Sequence, residues 1–202
     1  MSCTLRALLL VLCVSFCANA ETRTLALYLG PARSLDAEAT RVMHDELQQL
    51  LSPAGIDVAW KSLADRKPGE NFDLVAVTTF DGNCAGEEVT RGSIVASLAD
   101  TSIADGHILP FFRIDCNLLM RVLGSRVEAP VLGRALARLA AHEIYHIVAQ
   151  TTDHQDAGIA KATFSVRDLT APRFELDAWS LIRMRPQSMA RTNDSAFGDS
   201  GR

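Results

Sequence analysis

The stretch AHEIYHIVAQTTDH, residues 141–154, decides how the rest of the chain is read. It contains His142-Glu143-x-x-His146. On a helix, residues four apart share a face, one turn above the other. His142 and His146 therefore present two imidazoles to one point, and Glu143 beside them is left to handle a proton. Two nitrogen ligands with an adjacent carboxylate form the donor set that holds Zn2+ and works on its bound water. The whole chain has five histidines, and three of them fall between positions 142 and 154, which lifts the motif above a random match. His154 is the first candidate for a third ligand.

The residues before the motif predict the helix it needs. Pro130 suits a first helical turn. From 131 to 150 there is no other proline and a single glycine, Gly133. Leu132, Leu136 and Leu139 recur at helical spacing, with Arg134 and Arg138 on another side. The expected active-site helix is 130–150. Thr151, Thr152 and Asp153 are poor helix formers in succession and should end it.

Residues 1–20 have the pattern of a secretory signal. Arg6 gives a short positive region, 7–17 is an apolar run too short to span a bilayer, and Ala18-Asn19-Ala20 is an A-x-A cleavage site before Glu21. The expected product is secreted or periplasmic. The leader carries one Arg and no acid, so the formal charge of −4 becomes −5 without it. That balance argues against nucleic acid as a partner, and no later apolar run is long enough for a membrane anchor. Cys84 and Cys116 remain of the five cysteines, an even count that predicts one disulfide in an exported chain. Residues 21–185 are read as one domain and 186–202, polar and Gly/Ser-containing, as a disordered tail. A monomer is expected.

In chain order, 24–29 reads as a strand, followed by a helix capped by Ser34 with an apolar stripe of Leu35, Val42, Met43, Leu47, Leu50 and Leu51. Pro53-Ala54-Gly55 stops it. His44, alone on that helix, is expected at the surface. Ile56, Val58 and Trp60 alternate as in a strand. The run FDLVAVTTF, 72–80, suits a strand buried on both faces. Strands are expected at 93–98 and 107–113, around Asp105-Gly106. His107 is read as structural. A short helix is expected over 115–123, irregular chain over 155–169, and a last helix over 172–184 that carries Glu175.

The order of strand, helix, further strands, a long helix with H-E-x-x-H, a turn and a C-terminal helix resembles the zincin metallopeptidases, and among them the metzincins. The likeness in sequence spans only the motif and the residues after it. It implies an α+β fold, a mixed and mostly parallel sheet packed on two long helices, with a cleft beside the motif helix and a small C-terminal helical sub-domain. The metzincin pattern is H-E-x-x-H-x-x-G-x-x-H. His142, Glu143 and His146 match it, whereas the glycine slot falls on Ala149 and the third histidine slot on Thr152; His154 comes two residues later. Met184 and Met189 do not make a clear Met-turn. In the gluzincin pattern the third ligand is a later Glu, for which Glu175 is the candidate. His154 is preferred to Glu175, and Asp153 comes third. The function expected is an exported zinc-dependent metallopeptidase in which Glu143 is the general base toward a peptide or protein substrate. Tyr145 is assigned to packing. The alternative is a zincin-shaped secreted protein that binds zinc or a peptide without turnover.

Overall fold

A computed structural model describes residues 22–30, 35–84, 97–124 and 126–185. The expected signal, the expected tail and Ser34 lie outside them. The elements run β1 (Arg23–Leu29), α1 (Ala37–Leu51), β2 (Ile56–Ser62), β3 (Leu74–Asp81), β4 (Ala99–Ala104), β5 (His107–Asp115), α2 (Cys116–Leu123), α3 (Ala129–Ala149), α4 (Val166–Thr170) and α5 (Ala178–Met184). The sheet order is β2-β1-β3-β5-β4, parallel throughout except for β4, which pairs antiparallel with β5 at the edge. A mixed, mostly parallel sheet packed on two long helices is the architecture expected from the sequence.

The two helices lie against each other on one face of this sheet. α1 buries Met43, Leu47, Leu50 and Leu51, as its stripe predicts. Its cap is Asp36, whose carboxylate accepts from the amides of Glu38 and Ala39; a β-region residue with a short acceptor is what the open first turn requires. α3 is buried almost all round, from Ala135 to Ile147. A helix of that kind belongs in the middle of a domain. The helices cross at Gly133, where an added Cβ would come 2.5 Å from the Ala39 carbonyl oxygen. The lone glycine of the predicted helix is thus the place where two backbones touch.

Covering one face changes the reading of β3. It is not buried on both sides. Ala76 and Thr78 face the helices and are buried, whereas Val75 is 40% exposed and Thr79 is exposed as well. On the neighbouring strand, Phe111 is 47% exposed while Phe112 is 2%. A continuous apolar run cannot distinguish a strand covered twice from one covered once, because which faces receive helices is a tertiary fact.

The hairpin also shifts. Asp105 and Gly106, with φ of 51° and 76°, form a two-residue turn joining β4 directly to β5. Such a turn demands strands abutting it on both sides, so the strand before it is Ala99–Ala104 and not 93–98. Of that expected strand, 93–96 lie outside the described residues, and Ser97 and Leu98 are not in a strand.

The C-terminal helix is shorter than the 172–184 expected. Asp177 caps α5 through the Ser180 amide, and 171–177 is irregular, so Glu175 is not on a helix. Conversely, 155–169 is not wholly irregular. Ser165 and Asp168 make a reciprocal capping box that starts α4. Cys84 and Cys116 are buried with Cα atoms 4.8 Å apart, within the range a disulfide spans.

Candidate metal centre

The site is built at the C-terminal half of α3 and completed by the chain that leaves it. α3 ends at Gln150, which takes a left-handed conformation, φ 48°, and donates its amide to the His146 carbonyl. The reversal sends Thr151 back, so that its carbonyl meets His146 Nδ1 at 2.7 Å. Farther on, Gly158 at φ 68° turns the chain again, and the Ile159 carbonyl meets His142 Nδ1 at 2.6 Å. An added Cβ at Gly158 would strike the Asp177 carboxylate at 2.0 Å, so this turn needs glycine for space as well as for backbone freedom.

These two carbonyls fix the imidazoles. Each Nδ1 facing a carbonyl must carry the proton, which leaves each Nε2 as a lone pair. The two Nε2 atoms then face one another at 3.0 Å. With no proton between them, two lone pairs at that distance repel, and a cation shared by both relieves the repulsion. A tetrahedral ion with bonds of about 2.0–2.1 Å would place two such nitrogens about 3.3 Å apart, close to the distance found. His154 completes the group. Its ring stacks on His142 at 5.3 Å and meets His146 edge-on at 4.9 Å. One ligand atom from each of His142, His146 and His154 lies within 4.8 Å of the others, and among the described residues no other cluster of His, Cys, Asp or Glu can hold a metal. Three neutral imidazoles fit zinc.

Electrostatics agrees with neutral ligands. Burial pulls His142 down to about 4, with only partial opposition from the Ile159 carbonyl. Burial lowers His146 as well, against the Thr151 carbonyl. Glu143 is pushed up to about 7, chiefly by burial, while the Thr101 hydroxyl works in the other direction. Thr101 Oγ1 donates to Glu143 Oε2 at 2.5 Å. A carboxyl held near neutrality can both take and return a proton.

The four sequence-predicted residues His142, Glu143, His146 and His154 line one cleft of about 250 Å³, walled on the other side by Thr101 and Ile103 of β4 and by Ile108 of β5. Two of the predicted alternatives lie elsewhere. Glu175 is exposed in the irregular stretch before α5. Asp153 faces Arg183 at 3.8 Å, and its carbonyl accepts from the Tyr145 hydroxyl at 3.4 Å. Tyr145 is fully buried against Trp179, as its packing assignment requires. His44 is not a plain surface residue: it stacks on Trp60 at 3.7 Å, half-buried between α1 and β2. His107 is exposed beside the hairpin turn.

Two participants escaped the sequence reading. Thr101 carried no signal, because its approach to Glu143 depends on the register of β4 at the sheet edge. Arg138 did carry one: it lies off the leucine stripe, as expected, but Arg138, His142 and His146 are successive fourth residues, so the arginine shares the face of the histidines, which the sequence reading did not use.

No family model matches the chain, and neither does any curated protein. Among solved structures it is similar to archaemetzincin from Methanopyrus kandleri, at 10% identity and a TM-score of 0.47, over 83% of this chain and 95% of that one.

Proposed function

We propose that the chain is an exported zinc-dependent metallopeptidase, with zinc held by His142, His146 and His154 and with Glu143 as general base. The observation that carries this reading is the convergence of three imidazoles, two of them with Nδ1 tied to carbonyls, beside a buried carboxyl in an open cleft. Zinc, when bound, supplies a Lewis acid with an open position at which water loses its proton near neutral pH. The chain's own residues do the rest. Glu143 Oε2 is held by Thr101, which leaves Oε1 to take the proton and deliver it to the departing amine. Ile103 and Ile108 give the cleft an apolar wall. β4 is an edge strand, and among the described residues it pairs only with β5. An extended peptide laid along its outer side would gain main-chain hydrogen bonds and be carried past Glu143.

Export is supported by the leader pattern and by the cysteine pair at disulfide distance. The test is metal analysis of purified protein together with hydrolysis of casein or a peptide pool. About one zinc per chain is expected, and Glu143→Gln should keep the metal while losing about 10²–10⁴ in turnover. Absence of zinc would overturn the metal reading. Zinc with no turnover in the unaltered protein would favour a binding protein of the same shape.

A further inference from the structure

Arg138 is the one charged side chain among the described residues with no exposed surface at all. Burying a guanidinium is costly unless every donor finds a partner. Here Nε and Nη2 both meet Glu46 Oε1 of α1, at 2.9 and 2.7 Å. The remaining bonds go to main chain beyond the motif: Nη1 to the Asp168 carbonyl and Nη2 to the Ala171 carbonyl, each at 2.7 Å. Only the planar fork of arginine reaches a carboxylate and two carbonyls at once.

Two routes lead from this guanidinium to His142, one helical turn along the same face. Along the first, Asp168, whose carbonyl Arg138 holds, grips Lys161 Nζ with its carboxylate at 2.7 Å. Lys161 is bridged to Gln155, and the Gln155 amide donates to the Ala160 carbonyl at 2.7 Å. The neighbouring carbonyl is that of Ile159, the partner of His142 Nδ1. Along the second, the guanidinium lies 5.1 Å from the Phe174 ring, Phe174 packs on Phe164 at 6.0 Å, and Phe164 meets the His142 ring edge-on at 5.5 Å. His146 has no share in either route. Its carbonyl partner is Thr151, at the end of the same helix.

We infer that Arg138 is a positioning residue for His142: by anchoring residues 159–174 to the two long helices, it sets the tautomer and ring orientation of that one histidine. Its consequence for metal binding rests on the function proposed above, whereas its consequence for the tautomer does not. Groups that orient a ligand in this way are worth about 10–100-fold in metal affinity.

The experiment uses the full chain and long-range 1H–15N spectra, which report which ring nitrogen is protonated with or without metal. The test variant is Arg138→Met with Glu46→Leu, which leaves no orphaned buried charge and keeps the α1–α3 contact apolar. The unaltered protein should show Nδ1–H at both His142 and His146. Stripped of metal, the double variant should show a mixture of tautomers at His142 and unchanged Nδ1–H at His146, and zinc should bind it about tenfold more weakly or worse. Glu46→Gln, which keeps the carbonyl bonds of Arg138, should leave the His142 tautomer as it is. Phe174→Leu, a milder cut in the second route, should disturb His142 selectively and serves if the double variant fails to fold. An unchanged His142 in a folded variant, or equal disturbance of both histidines, overturns the inference. A chain that binds no zinc but shows the selective tautomer change overturns the proposed function and leaves the positioning role standing.

Discussion

At the scale of single residues, the third ligand decides the type of centre. His154 is exposed, unlike His142 and His146, yet its ring reaches both of theirs. Truncating it removes one of three donors and should cost orders of magnitude in zinc affinity, whereas Glu175→Ala and Asp153→Ala should retain most of it. Competition against a chromophoric chelator measures this; metal loss in Glu175→Ala with retention in His154→Ala would reverse the assignment. Thr101 makes a separate prediction. Its hydroxyl stabilises the Glu143 carboxylate and so holds its pKa down against burial. Thr101→Val removes that restraint, and Glu143 stays protonated to higher pH. The acid limb of the pH profile of kcat/KM should move upward, with zinc content unchanged. A limb that stays in place or moves down would show that the hydroxyl does not govern the base.

At the scale of elements, the α1–α3 crossing is the joint on which the site stands, since α1 supplies Glu46 and α3 carries the histidines. Gly133→Ala sets two effects against each other. Alanine favours the helix by about 1 kcal/mol, while forcing a methyl against the Ala39 carbonyl oxygen, where only 2.5 Å is available, costs about 1–3 kcal/mol as an overpacked contact. Backbone cannot rotate out of the way as a side chain can, so the clash should win and Tm should fall by a few degrees. Scanning calorimetry would check it; a Tm at or above that of the parent would mean that the helices part easily. The short helix α4 belongs to the same scale. Its box, Ser165-x-x-Asp168, stood in the sequence, but five residues are too few for any periodicity to announce it.

At the scale of the whole molecule, the sheet has one face covered by the two long helices and the cleft lies where its edge strand passes over the second of them. Cys84, just after β3, and Cys116, at the start of α2, 32 residues apart, lie at disulfide distance. If the pair is oxidised, reduction should cost about 3–4 kcal/mol in the chain-entropy account for a loop of that length. Thiol titration of unfolded, unreduced protein should find no free thiol, and a reductant should lower the chemical-denaturation midpoint; two free thiols would exclude the bond.

The residues by themselves determined what depends on near neighbours in the chain. The spacing of His142 and His146 placed two imidazoles on one face of a helix, Asp105-Gly106 marked a turn, and the stripe of α1 named Met43, Leu47, Leu50 and Leu51, four of the five residues it buries. Tertiary structure decided whatever depends on two segments meeting. It alone brought the Ile159 carbonyl to His142, set Thr101 against Glu143, left Val75 and Phe111 outside the core, and took Glu175 off a helix and away from the histidines. Helical and strand periodicities are written at separations of two to four residues. The partner of a side chain 17 or 42 positions away is written nowhere in such a pattern. It follows from which faces pack and in which register, and so the His142 ring and the Glu143 carboxyl are held by chain that no local signal connects to them, whereas His146 is held by Thr151 at the end of its own helix.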